Sequence, residues 1–188
     1  MKKSNKKSSP SETHQTDASR AVLDAFFLDS LQEIYYAENA ISVAFGNIID
    51  DIVSPQLLEI LKIHYAIHLK HKERIEKVFL LRNEPISTKN CEPVNALLAQ
   101  AIHHLSVFSG DTGNWEIALI LVSQKLAHYK IASYGGLAHL AINLNYRSAA
   151  ALLAFSVQEE EEFIANKLNG LIDAFLTSNV DGYKTEFN

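Results

Sequence analysis

Four long stretches of this chain repeat apolar side chains every three or four positions, and the connections between them run short, long, short. In the first stretch Phe27, Leu31, Ile34, Ile41 and Phe45 mark one helical stripe. Asp17 to Ser19 offer a capping start for it, and it runs to about Asp50. Ser54-Pro55 restarts the chain with a capping hydroxyl followed by Pro at the first helical position. The second helix then carries Leu58, Leu61, Tyr65, Leu69 and Phe79 to about Arg82, and Asn83-Glu84-Pro85 ends it. A long connection follows up to Gly113, with a shorter helix expected over Pro93 to Phe108. The third long helix is expected over Asn114 to Asn143. Leu144-Asn145-Tyr146 makes a tight turn with Asn145 suited to a left-handed cap, and the fourth runs from Arg147 to Leu176.

Two short turns give two antiparallel hairpins. A crossover with its own helix lets the second and third long helices run parallel. The expected fold class is therefore all-α, a ferritin-like four-helix bundle with a long crossover carrying an extra short helix. The expected organisation is a disordered basic and polar tail over 1–18, the bundle over 19–176 and a loose C-terminal tail over 177–188.

Composition removes several classes of function. With 7 Gly and 4 Pro in 188 residues, helix breakers are scarce. A net charge of −5 gives no footprint for nucleic acid. No run is apolar enough to span a bilayer. One Cys, Cys91, excludes a disulfide framework and a Cys-rich zinc site. The start MKKSNKKSSPSETHQTDAS lacks the apolar stretch of a signal peptide, so a cytoplasmic protein is expected. Neither a Gly-rich phosphate loop nor a nucleophile elbow is present.

The informative residues are polar ones in the apolar stripes. Glu38 falls between Ile34 and Ile41, and Glu160 between Val157 and Ile164. A carboxylate in a core needs a metal, a hydrogen-bonding partner or a proton. Two metal ions are one solution in helical bundles, with Glu38, Glu159 and Glu160 as candidate ligands here. Alternatively Glu38 and Glu160 share a proton or bond to Tyr65, Gln124 or Tyr134. Glu159 to Glu162 also reads as a solvated charge run with Glu160 at the core's edge.

Several blocks resemble the bacterial YciE/YciF family of ferritin-like, stress-associated proteins. They are Leu31-Gln-Glu-Ile-Tyr35-Tyr-Ala-Glu38, Glu73-Arg74-Ile75-Glu76-Lys-Val78-Phe79 and His128-Tyr129-Lys130-Ile131-Ala132-Ser133-Tyr134-Gly135, then Asn145-Tyr146-Arg147-Ser-Ala149-Ala150-Ala-Leu152-Leu153. The resemblance implies a homodimer and a metal site whose acids match Glu38, Glu159 and Glu160. It also implies acids on the second and third long helices where this chain has Ala66, Ile67, Ala127 and Lys130, and Leu69 where some relatives have His. Small hard cations depend on carboxylate charge, so these replacements argue against a working di-metal centre.

A rival site is the series His64, His68 and His71 on one side of the second helix, with His128 as a further ligand. The plainer reading places these histidines half-buried between the core stripe and a second apolar stripe of Ile60, Ile63 and Ile67. That second stripe implies cover by the crossover helix or by a second subunit. Two functions follow. One is a non-catalytic, stress-related bundle with a degenerate site and no cofactor. The other is an iron or manganese oxidoreductase or storage protein using Glu38, Glu159, Glu160, His68 and His128.

Overall fold

A computed structural model describes the backbone of residues 10–179, with side chains from Asp17 to Thr177. The elements are α1 (Pro10–Ile48) with a 3₁₀ turn (Ile49–Asp51), α2 (Pro55–Leu81), α3 (Glu92–Val107), α4 (Thr112–Asn143), α5 (Arg147–Phe163), a π-helical turn (Ile164–Leu168) and α6 (Asn169–Asn179). The first helix starts at Pro10 rather than at Asp17 to Ser19, because Pro suits a first helical position here as Pro55 does on α2. Residues 1–9 and 180–188, on which most of the expected tails fall, lie outside the described residues.

The chain ends its helices as their sequences direct. The Ser54 hydroxyl accepts from Leu57 N–H, and the Asp111 carboxylate accepts from Asn114 N–H. Glu116, buried on α4, takes both Val53 N–H and Ser54 N–H on one oxygen at 2.9 and 2.6 Å, which fixes the entry to α2. Asn83 and Asn145 hold left-handed φ values of 56° and 67°. Glu84 N–H to Phe79 C=O and Tyr146 N–H to Ala141 C=O then close the ends of α2 and α4.

Two apolar clusters fill the bundle. One contains Phe27, Leu31, Ile34, Ile75, Val78, Leu137 and Leu153; the other contains Leu57, Leu61, Leu119, Phe163 and Leu168. Along α1 and α5 the chain passes from the first cluster to the second. Along α2 and α4 it passes the other way, so α2 and α4 run parallel and the expected connectivity is present. α3 packs chiefly on α4 and α1; of the expected outer stripe of α2, Ile60 and Ile67 are half-buried against the second cluster and Ile63 is exposed. Among the described residues no helix is long and apolar enough to cross a membrane.

Arg82, at the end of α2, ties the first cluster's end of the bundle. Its guanidinium pairs with both oxygens of Asp24 on α1, at 2.7 and 3.0 Å. It also lies 4.2 Å from the Tyr146 ring centre, and the Tyr146 hydroxyl donates to Asp24 at 2.6 Å. A lysine cannot supply a flat fork that pairs and stacks at once. We expect Arg82→Lys to lower unfolding stability by about 1–2 kcal/mol. An unchanged urea midpoint would show that the clamp adds nothing.

Candidate functional site

Between the two apolar clusters lies a polar layer, built from three side chains of α2 and one from each of the other long helices. α1 contributes Glu38; α2 contributes His64, His68 and His71; α4 contributes Lys130; α5 contributes Glu160. Glu38, His71, Lys130 and Glu160 are 0% exposed. Each sits at a helical step from apolar neighbours. Lys130 is four residues past Leu126 and four before Tyr134, both buried.

The Lys130 ammonium is the centre. Its Nζ stands 3.0 Å from Glu38 Oε1 and 2.6 Å from Glu160 Oε1, and 2.7 Å from His68 Nδ1. Glu38 accepts from the Tyr134 hydroxyl at 2.7 Å and faces His68 Nδ1 at 2.7 Å. Glu160 Oε2 accepts from His64 Nε2 at 2.9 Å. His71 Nε2 is 3.2 Å from Glu159 Oε2, and Arg74 donates to the same carboxylate at 2.5 Å. His71 Nδ1 makes no hydrogen bond and lies 3.5 Å from an oxygen of Glu38 and 3.5 Å from one of Glu160.

These contacts set the charge states. Burial by itself raises a carboxyl, but the Lys130 charge, with help from His68, His64 and His71, holds Glu38 and Glu160 well below the usual carboxylate range. Burial, reinforced by Lys130, lowers His68 to about 4 against the pull of Glu38. Burial also lowers His64, outweighing Glu160. The two imidazoles are therefore neutral at pH 7, and their links to the carboxylates are hydrogen bonds. Burial followed by Glu38 pushes the Tyr134 hydroxyl well up, so it remains a donor.

The sequence-based candidates divide. Glu38, Glu160 and His68 meet around Lys130, and Glu159 joins through His71. His128 does not: it is exposed and lines an outer surface hollow with His103 and His104. The histidines of α2 are not a half-buried border, because they are the inward stripe itself. Leu69 is 43% exposed, Ala66 is exposed, and Tyr65 stacks on Phe45 at 5.1 Å instead of reaching a carboxylate. The expected stripe through Tyr65 and Leu69 was one residue out of phase with Leu57, Leu61, His64 and His68. Neither Ala66 nor Ile67 therefore occupies an inward ligand position. Gln124 bonds to Asn169, not to Glu38. Of the Glu159 to Glu162 run, Glu161 and Glu162 face water while Glu160 lies inside. Sequence reasoning missed Lys130 as a partner, although a lysine in phase with Leu126 and Tyr134 was a readable signal of a buried cation.

A di-metal centre does not fit this arrangement. Small divalent ions need carboxylate oxygens at about 2.0–2.2 Å. Here the space shared by Glu38 Oε1 and Glu160 Oε1 holds a cationic nitrogen. An ammonium repels a second cation and offers it no lone pair. Among the described residues no group of three or more His, Cys, Asp or Glu side chains has a geometry that could hold a metal.

Comparison with known proteins places these features in context. The family model described as "Domain of unknown function (DUF892)" matches residues 22–180. Protein YciF of Escherichia coli (strain K12) is 30% identical over 140 residues, covering 74% of this chain and 84% of its own length. The crystal structure of the E. coli stress protein YciF superposes with a TM-score of 0.77 at 28% identity, covering 84% of this chain and 98% of that one. YcfI of Rhodopseudomonas palustris superposes with a TM-score of 0.74 at 28% identity, covering 78% and 92%.

Proposed function

This chain belongs to the DUF892, or YciE/YciF, family, and from that premise we propose that it is a non-catalytic bundle acting through protein contacts in a stress response. The observation that carries the reading is the Lys130 ammonium between Glu38 and Glu160. The acids of a would-be metal site are paired with the chain's own cation. What such a layer supplies is specificity. Polar groups that are satisfied only in one helix arrangement penalise every other register. The description of E. coli YciF as a stress protein supports the physiological setting.

Metal analysis of protein purified without a His tag tests this. We expect well under one iron or manganese per chain, unchanged by Glu38→Ala. Near-stoichiometric iron or manganese that disappears in Glu38→Ala would overturn the reading in favour of an oxidoreductase or storage role. The outer face of α2, where Ile63 is 39% exposed and Leu69 43%, supports a homodimer as part of the same proposal. Light scattering should then give twice the 21.0 kDa chain mass.

A further inference from the structure

A cavity of about 310 Å³ opens beside the polar layer, between α1, α2, α3 and α4. Its volume is about twice the ~150 Å³ that accommodates a benzene ring in an engineered apolar cavity. The walls are almost wholly aliphatic and aromatic, with Phe45 and Tyr65 stacked along one side. Val43 of α1 and Ile102 of α3, 65% and 69% exposed, also line it and mark the mouth.

The inner end is different. His64 and His68 line the cavity while being more than nine-tenths buried. A carboxylate can only accept, so His64 Nε2 must donate to Glu160, and the neutral ring then has a lone pair on Nδ1. His68 makes both of its polar contacts through Nδ1. Neither His64 Nδ1 nor His68 Nε2 has a partner among the described residues. An apolar chamber thus ends at His64 Nδ1, a hydrogen-bond acceptor with no protein partner among the described residues. Glu38 and Glu160 lie directly behind the imidazoles, and with Lys130 they leave a formal charge of −1 (two carboxylates and one ammonium). An anionic head group is therefore disfavoured at this end, and an unpaired ammonium would lose its hydration.

We propose that this cavity binds a small uncharged aromatic alcohol, with its ring among the apolar walls and its O–H donating to His64 Nδ1. The walls and volume select the ring, and the imidazole lone pair selects the hydroxyl. The site goes beyond the proposed function but rests on the same polar layer, in which His64 Nε2 donates to Glu160.

The test uses the full chain and three probes of one shape: 2-naphthol, naphthalene and 2-naphthoate. Fluorescence titration should show saturable binding of one 2-naphthol per chain. Naphthalene should bind about tenfold more weakly, the equivalent of one lost hydrogen bond, and 2-naphthoate should bind more weakly still. Ala101→Phe, which fills the chamber from α3, should abolish binding; Ala44→Leu near the mouth gives a milder filling if the first variant does not fold. No saturable binding of 2-naphthol, equal affinity for naphthalene, preference for 2-naphthoate, or full binding by a folded filled variant would each overturn the proposal.

Discussion

Replacing Lys130 with glutamate should turn the bundle into a protein whose stability depends on metal. In the native chain the fully buried layer holds Glu38, Glu160 and one balancing ammonium. Lys130→Glu changes that to three carboxylates in the same space with no internal cation. Removing one member of a buried ion pair costs about 3–5 kcal/mol, chiefly because the remaining charge is left without a counterion. We therefore expect a loss of at least that order in chelator-treated Lys130→Glu at pH 7. The same change supplies what a small cation needs: three carboxylates, with His64, His68 and His71 alongside. Manganese should then restore stability through mass action, by about 2.7 kcal/mol at a hundredfold excess over its dissociation constant. Thermal unfolding with chelator and with manganese reads both effects. Wild type should melt at one temperature under both conditions. A variant as stable as wild type in chelator would show that Lys130 does not balance the carboxylates. Lys130→Met separates the two effects, since it removes the charge without adding an oxygen, and it should recover less with manganese.

The second large effect is with acid. His68 is lowered from 6.5 to about 4 in the fold, by burial first and Lys130 second, against the charge and hydrogen bond of Glu38. A group that takes up a proton more readily when unfolded makes stability rise with pH across the interval between its two values. The contribution from His68 is therefore complete above pH 6.5 and is lost as pH falls towards 4. That interval corresponds to about 3 kcal/mol. His64 acts in the same direction. Glu38 and Glu160, also depressed, contribute stability that is present above the unfolded value of 4.5 and is lost progressively as pH falls from there towards their depressed folded values. Urea unfolding at successive pH values should show a plateau above about pH 7, a decline beginning near 6.5 and a steeper one below 4.5. His68→Asn should flatten the upper decline and keep the lower. A wild-type stability that held constant or rose from pH 7 to 5 would mean that the fold tolerates protons on these rings.

How much of this was readable beforehand depended on which force set each feature. Ser54-Pro55, Asn145 and the spacing of Phe27, Leu31 and Ile34 act locally, so the helices and their ends could be read from neighbouring residues. Glu38 and Glu160 stood out because a carboxylate in an apolar stripe has few explanations. α2 was harder. Its stripe contains three histidines, and a reading weighted to aliphatic residues drifted one position, to Tyr65 and Leu69. Only the charge on facing helices makes imidazoles suitable interior residues here, and that information lies 30 positions away at Glu38 for His68 and 96 away at Glu160 for His64. Lys130 posed the same difficulty more acutely, since its site exists only once α1, α4 and α5 have come together.

The π-helical turn at Ile164–Leu168 has a consequence of another kind. In an uninterrupted α-helix the inward position after Phe163 is four residues on, at Lys167. The wider turn moves that position to Leu168, which is buried, and leaves Lys167 in water. The two lysines are thus sorted, Lys130 to the interior and Lys167 to the surface, and for Lys167 the sorting depends on one additional residue in the turn. In the gene that residue is a single codon. Its in-frame loss would place Leu168 four residues after Phe163, so an ordinary α-turn would carry the same face inward and the rest of the helix would keep its register.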